Sequence, residues 1–167
     1  MEFVRWPKIP RLENEVFHIS EKIDGTNACI VITDDGDIGA QSRTRLITPE
    51  DDNYGFARWV NNNAEQLMDD LGPGHHFGEW WGQGIQRGYD LTEKRFSLFN
   101  PTKQSVLCWN IPILEQSDRQ DLHNVIKEAC LDLLTIGSRA APGYMKPEGL
   151  VIYGEQSKAY WKVILDK

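Results

Sequence analysis

The chain is poor in the features on which several large protein classes depend. Its 167 residues hold only three cysteines, Cys29, Cys108 and Cys130. An odd number with no metal-ligand spacing supports neither a disulfide framework nor a zinc site. Cys29 falls in an apolar strand-like run and Cys130 on the apolar side of a helical pattern, so both read as core thiols in a reducing compartment. No apolar run is long enough to span a bilayer, and Met1-Glu2-Phe3-Val4-Arg5-Trp6-Pro7 lacks the basic and apolar regions of a signal peptide. The expected location is the cytoplasm, with no membrane partner. A basic surplus is also missing. The net charge is −7 and the pI about 5.1, which argues against binding nucleic acid through a broad basic surface. A local basic cleft stays compatible with that charge. There is no Gly-x-x-x-x-Gly-Lys-Ser/Thr loop for P-loop chemistry. His75 and His76 are adjacent and point to opposite sides of a strand, while His18 and His123 have no acidic or thiol partner at ligand spacing.

What is present is a series of strand and helix patterns without repeats or linkers. Glu15 to Ser20 and Ala28 to Thr33 read as strands, and Asp34-Asp35-Gly36-Asp37 as a hairpin turn leading to a strand that ends near Ser42. Thr48-Pro49-Glu50 resembles a helix N-cap, and Phe56, Trp59, Val60, Ala64, Leu67, Met68 and Leu71 form one helical stripe, stopped by Gly72-Pro73-Gly74. Short strands are expected around His75 to Trp80, Phe96 to Phe99 and Ser105 to Trp109. Ser117-Asp118-Arg119-Gln120 has a capping-box pattern before a second helix, with Gly137 as its stop. Strands over Gly149 to Tyr153 and Tyr160 to Leu165 complete an α+β layout with mostly antiparallel strands and two packed helices.

Several clusters in this layout can carry chemistry. Glu21-Lys22-Ile23-Asp24-Gly25-Thr26-Asn27 places a lysine beside acidic residues in a strand-turn-strand, with Gly25 supplying freedom at the bend. A lysine there is either a solvated charge or, in its neutral form, a nucleophile. Ser42-Arg43-Thr44-Arg45 offers guanidinium groups to a phosphate, or is an ordinary basic loop. Phe77-Gly78-Glu79 precedes Trp80, Trp81 and the glycine-rich Gly82 to Gly88; the tryptophans read as packing groups, and the loop either lets backbone approach a ligand or is simply flexible. Glu148 stands at the mouth of an apolar strand, as a boundary residue or as a carboxylate for a largely hydrated Mg²⁺. Lys158, Tyr160 and Lys162 share one face of the last strand by alternation, either as a solvated edge or as a polyphosphate site that converges with Lys22 and favours its uncharged amine.

In this order the motifs resemble those of the lysine-adenylating nucleotidyltransferases, and most closely the ATP-dependent RNA ligases of the RNA ligase 2 type. Lys22 to Asn27 looks like the nucleophile motif and Ser42 to Arg45 like the arginine motif. Phe77-Gly78-Glu79 with Gly84-Ile85-Gln86-Arg87-Gly88 is similar to the next, and Phe96-Ser97-Leu98-Phe99 to the aromatic strand after it. Glu148 to Ile152 and Tyr160 to Val163 look like the last two.

The resemblance implies an ATP-grasp-like nucleotidyltransferase core without an OB-fold, with residues 1–167 as a single minimal adenylyltransferase domain. It also implies roles. Lys22 attacks the α-phosphorus of ATP to form lysyl-AMP. Arg43 holds phosphate or ribose, Glu79 contacts ribose or a metal-bound water, and Phe99 stacks on adenine. Glu148 with Asp24 holds Mg²⁺ or Mn²⁺, and Lys162 contacts the α-phosphate. Glu21 and Lys158 join the nucleotide-binding set, and Asn27 orients the acceptor strand. AMP then passes to a 5′-phosphate and a 3′-hydroxyl seals the strand, at RNA ends or in a nicked duplex.

Two departures from the family pattern stand out. The second lysine of the last motif is replaced by Ile164, for which Lys158 is the expected substitute. The sequence also reaches Lys167 directly after that motif, where such ligases continue into a C-terminal domain, so a protein partner is the expected source of that part. Nicked DNA as acceptor, or nucleotide and RNA binding without sealing beside such a partner, are the alternative functions. A compact core of this kind is also common in viral and phage genomes.

Overall fold

The computed structural model describes residues 1–165. In chain order its elements are β1 (Phe17–Lys22), β2 (Thr26–Ile32), β3 (Ile38–Ser42), β4 (Leu46–Ile47), α1 (Phe56–Asn62), α2 (Ala64–Leu71), β5 (Gly74–Gly82), β6 (Lys94–Leu98), β7 (Trp109–Asn110), β8 (Ile113–Ser117), α3 (Leu122–Ile136), β9 (Gly149–Gly154) and β10 (Tyr160–Ile164). The architecture is α+β, as expected, with antiparallel pairing throughout the two sheets except for the short parallel pair β6–β7.

Two compact units make up the fold. The first comprises Met1–Lys22, Pro112–Arg139 and residues 145–165. Its four-stranded sheet runs β10-β9-β1-β8. Along β1, side chains alternate strictly. Phe17, Ile19 and Glu21 are buried, while His18, Ser20 and Lys22 are half-buried. The buried face packs Phe17, Ile19, Leu150 and Ile152 against Ala129 and Leu133 of α3. Period-two alternation thus sends Glu21 and Lys22, neighbours in sequence, to opposite faces of the sheet.

The second unit comprises Ile23–Ile111 with Ala140–Tyr144. Its six-stranded sheet runs β4-β3-β2-β5-β6-β7. One face, through Ala28, Ile30, Ile32, Ala40, Trp80, Phe96 and Leu98, packs on Phe56, Val60, Leu67 and Leu71 of α1 and α2. Trp80 and Trp81 are 2% and 0% exposed, so they are packing groups as the sequence suggests.

Some local expectations need correction. The helical stripe from Phe56 to Leu71 is two helices, broken at Asn63, whose φ/ψ of −122°/21° leaves the helical region. The Asn63 side chain donates to the Trp59 carbonyl at 2.8 Å, the local competition for backbone partners that asparagine offers. The N-cap position of α1 is Gly55, and the side chain that takes its first-turn amides is Asp52 rather than Thr48. Its carboxylate accepts from the amides of Ala57 (2.8 Å) and Arg58 (3.0 Å). Ser117 forms no capping box; it ends β8, and Asp118 accepts from the amide of Asp121 just before α3. Residues 105–108 form no strand; of the expected stretch only Trp109 is in one, at the start of the short β7, and β8 follows where no strand is expected. The Gly36 turn and the helix stop at Gly137 hold, both with left-handed φ (88° and 92°).

Candidate active site

The first unit carries the lysines. β1 and β9 pair so that Lys22 lies opposite Gly149, and β10 places Ile164 opposite Gly149 from the other side. Lys162 is opposite Val151, itself opposite Ser20. Lys22 and Lys162 therefore share one face of the sheet. Gly149, registered between Lys22 and Ile164, has no room for a side chain, since a Cβ there would run into the Val163 carbonyl. Lys22 Nζ donates to Glu148 Oε2 at 2.8 Å, with side chains 27% and 16% exposed. The amine and the strand-mouth carboxylate predicted to work together are thus in direct contact. Ile164, at the position of the second motif lysine, lies on this same face and brings no charge to it.

Glu21 is placed differently. Its carboxylate is 1% exposed and accepts from Ser138 Oγ at 2.6 Å and the Arg139 amide at 2.7 Å, fastening the segment after α3 to β1. Lys158 is outside β10, contrary to the strand alternation proposed for it. It sits in the β9–β10 turn with a left-handed φ of 61°, where alternation has no meaning. That turn is latched by Glu15, a buried carboxylate that accepts from the amides of Gln156 and Ser157 and from the Ser157 hydroxyl. The Ser157 hydroxyl first, then those amides, hold Glu15 below the ordinary carboxylate range despite its desolvation.

The second unit carries the acidic and aromatic candidates. Asn27 of β2 is opposite Glu79 of β5, which is opposite Ser97 of β6. These three lie on the sheet face away from α1 and α2. Phe77 is on the same face, opposite Cys29. The Phe99 amide donates to the Phe77 carbonyl, and the rings of Phe77 and Phe99 are about half-exposed. Burial pushes the Cys29 thiol up to about 11, against a hydrogen bond with the His76 backbone, so it is an inert neighbour. Just beyond β3 the two arginines of the 42–45 motif separate in role. Arg45 is tied to Asp51 at 3.0 Å, whereas Arg43 is exposed and makes no hydrogen bond or ion pair with the described residues.

The turn following Lys22 in the chain is held from several sides. The Gly25 amide donates to Glu79 Oε2 at 3.0 Å and the Asp24 amide to Tyr89 Oη at 2.8 Å. Arg87 Nε donates to Asp24 Oδ2 at 3.0 Å. Gly25 is needed here for space rather than for backbone freedom. A Cβ would lie 2.5 Å from the Trp80 carbonyl oxygen and 2.6 Å from Trp81 Cβ. Arg87 lies in the Gly84-to-Gly88 motif, but neither the motif nor the glycine-rich run says what its side chain does, and Tyr89 has no signal in the sequence beyond its place next to that run.

No group of three His, Cys, Asp or Glu side chains among the described residues is arranged to hold a metal directly. A lone carboxylate can still suit Mg²⁺, which commonly takes one or two carboxylates and keeps most of its waters. Glu148 is the partly exposed carboxylate beside Lys22 suited to that part.

The family model described as RNA ligase matches residues 15–164, a span that contains all six motifs. A comparison with curated protein sequences finds no match. Among solved structures, a Naegleria gruberi RNA ligase variant with ATP and Mn superposes with a TM-score of 0.64 at 19% identity. The alignment covers 92% of this chain and 50% of that one. Another variant of that ligase, with AMP and Mn, gives 0.63 at 22% identity over 91% and 50%. An archaeal ATP-dependent RNA ligase gives 0.63 at 15% identity over 95% and 48%. These likenesses show a common fold, and the chain spans about half the length of the ligases it matches. Given the family match over nearly all of its sequence, the chain belongs to the RNA ligase family.

Proposed function

We propose that this chain is the adenylyltransferase domain of an ATP-dependent RNA ligase, acting as one domain over residues 1–167 and using Lys22 as nucleophile. The observation that carries the reading is the 2.8 Å contact between Lys22 and Glu148 on the sheet face that also bears Lys162. ATP or AMP and Mn in the Naegleria gruberi ligase structures support the same nucleotide and a divalent cation here.

In the first step Lys22 Nζ, relieved of a proton, attacks the α-phosphorus of ATP. The N–P bond forms, the bond from Pα to the bridging oxygen breaks, and pyrophosphate leaves. Nζ now donates to Glu148; the proton it must lose to free a lone pair passes to that carboxylate or to water, and a remaining N–H can keep the hydrogen bond. Glu148 and Asp24 would each offer a carboxylate to Mg²⁺ or Mn²⁺, mainly through water, and the ion would supply positive charge where negative charge grows on the α-phosphate. Lys162 neutralises a phosphate oxygen, Arg43 holds phosphate or ribose, and Lys158 adds positive charge at the phosphates. Phe99 offers a face to adenine, and Glu79 reaches the ribose or a metal-bound water. The Glu21 carboxylate, turned to the buried face, contributes by anchoring the backbone ahead of Lys22. In the later steps an oxygen of an RNA 5′-phosphate attacks the lysyl-AMP phosphorus and frees the lysine. A 3′-hydroxyl, oriented by Asn27, then attacks the activated 5′-phosphate and AMP departs. A partner protein or further domain is expected to help hold the strand.

A pulse-chase experiment tests the acceptor. Protein labelled with α-labelled ATP is freed of nucleotide and mixed with 5′-phosphorylated RNA, or with the same sequence as DNA. The reading predicts label leaving the protein for the RNA end. Label retained on the protein with both strands contradicts the ligase assignment, and transfer to DNA alone assigns the acceptor to DNA.

A further inference from the structure

The loop from Gly82 to Asp90 has more left-handed backbone than a chain reversal needs. Gly82, Gly84 and Gly88 have φ of 109°, 78° and 71°, and so do non-glycine residues, Gln86 at 48°, Tyr89 at 54° and Asp90 at 58°. Side chains disfavour that region, so the conformation persists only where surrounding contacts enforce it, and such strain gathers at functional sites. Here the contacts point one way. The Tyr89 ring is 1% exposed, set edge-on to Trp81 at 5.1 Å and against Tyr144 at 4.7 Å. Its hydroxyl is therefore a fixed point, and it takes the Asp24 amide at 2.8 Å. Two residues earlier in the loop, Arg87 takes the Asp24 carboxylate at 3.0 Å, with both side chains largely shielded. Glu79 takes the next amide, that of Gly25.

We propose that Arg87 and Tyr89 are positioning residues that set the turn following the Lys22 nucleophile, with Asp24 as the handle they grip. The inference rests on the adenylation reading. The strained loop carries two side-chain tips to one turn, and each tip meets a different group of the same residue. Asp24 accordingly does more than offer a carboxylate to a cation: one of its oxygens is committed to the Arg87 guanidinium. A merely structural loop would need neither a charged pair nor two contacts to a single residue beside the nucleophile.

Single-turnover adenylation and amide exchange test the idea together in wild type, R87A, Y89F, D24A and the double variant R87A/D24A. Misplacing a reacting group by about 1 Å can cost up to about 100-fold. The expected result for R87A is a maximal rate of lysyl-AMP formation about 10- to 100-fold lower, with half-saturating ATP unchanged. R87A/D24A should be no slower than D24A, because the two residues act as one unit. The Asp24 and Gly25 amides should exchange faster in R87A and Y89F while the rest of β2 stays protected, and R87K should recover part of the rate. Three results would overturn the inference: a wild-type rate in R87A, a raised ATP requirement at an unchanged maximal rate, or losses in R87A and D24A that multiply. If wild type itself forms no lysyl-AMP, the parent reading falls and this one with it. If wild type labels and R87A labels equally fast, only this inference falls.

Discussion

Lys22, Gly25 and Tyr89 respond to substitution for different physical reasons. Lys22 makes one ion pair, and with side chains 27% and 16% exposed both partners still reach water, so losing it should cost less than the roughly 3–5 kcal/mol of breaking a fully buried pair. Lys22→Ala should therefore abolish covalent adenylation while shifting the thermal midpoint little, and a large drop in that midpoint would contradict its assignment as a cleft nucleophile. Gly25→Ala meets backbone and cannot be absorbed by a side-chain rotation. It should destabilise by about 1–3 kcal/mol, the usual penalty of overpacking, read from denaturant midpoints. Tyr89→Phe keeps the ring and removes the acceptor of the Asp24 amide, leaving a shielded donor unpaired at about 1–3 kcal/mol. Stability equal to wild type in that variant would mean that water replaces the hydroxyl. Lys22 was legible because lysine-x-Asp-Gly between two strand patterns is a compact local signal. The roles of Arg87 and Tyr89 were not, because their partner is more than sixty positions away in sequence and only the loop's backbone conformation brings them to it.

The elements themselves were read well where a single periodicity ruled. The helix α3, the hairpin at Gly36 and the strands β1–β3, β5, β6, β9 and β10 follow from periodicity and turn chemistry, whereas β4, β7 and β8 carry too little alternation to show in the sequence. Errors arose where short polar side chains choose among nearby backbone groups. Asp52 rather than Thr48 takes the first-turn amides of α1, and Asn63 splits the helix. Nor could alternation reach Lys158, which lies on a turn latched by Glu15 from before β1. That latch has a pH signature. The Glu15 carboxylate is held below its ordinary value in the folded chain, so its contribution is complete above the unfolded value of about 4.3 and fades as pH falls through the lower folded value. Glu15→Gln should melt earlier than wild type near neutral pH, and the gap should narrow on acidification. A gap that stays constant to pH 3 would show that the latch does not depend on charge.

For the whole molecule, charge and family membership pull in different directions. A net charge of −7 leaves little general attraction for a polyanion. Once pyrophosphate has left, strand engagement should then rest on a few cations such as the exposed Arg43, Lys158 and Lys162. Each neutralised phosphate of a single strand contributes about −0.7 to the slope of log affinity against log salt, so the expected slope is no steeper than about −2. A much steeper slope in a salt titration would reveal a broad basic surface that this account lacks. The motif order made the family legible because six short patterns fall in sequence. The Ile164 departure was equally visible, but its setting was not: only strand register shows it opposite Gly149, on the face that carries Lys22.

The most direct test of lysine adenylation is covalent labelling. Protein is incubated with α-labelled ATP and Mg²⁺, denatured, and resolved beside Lys22→Ala. The account predicts a labelled band in wild type and none in the variant. Binding of ATP by folded wild-type protein without any labelled band, or a band that survives in Lys22→Ala, would contradict it.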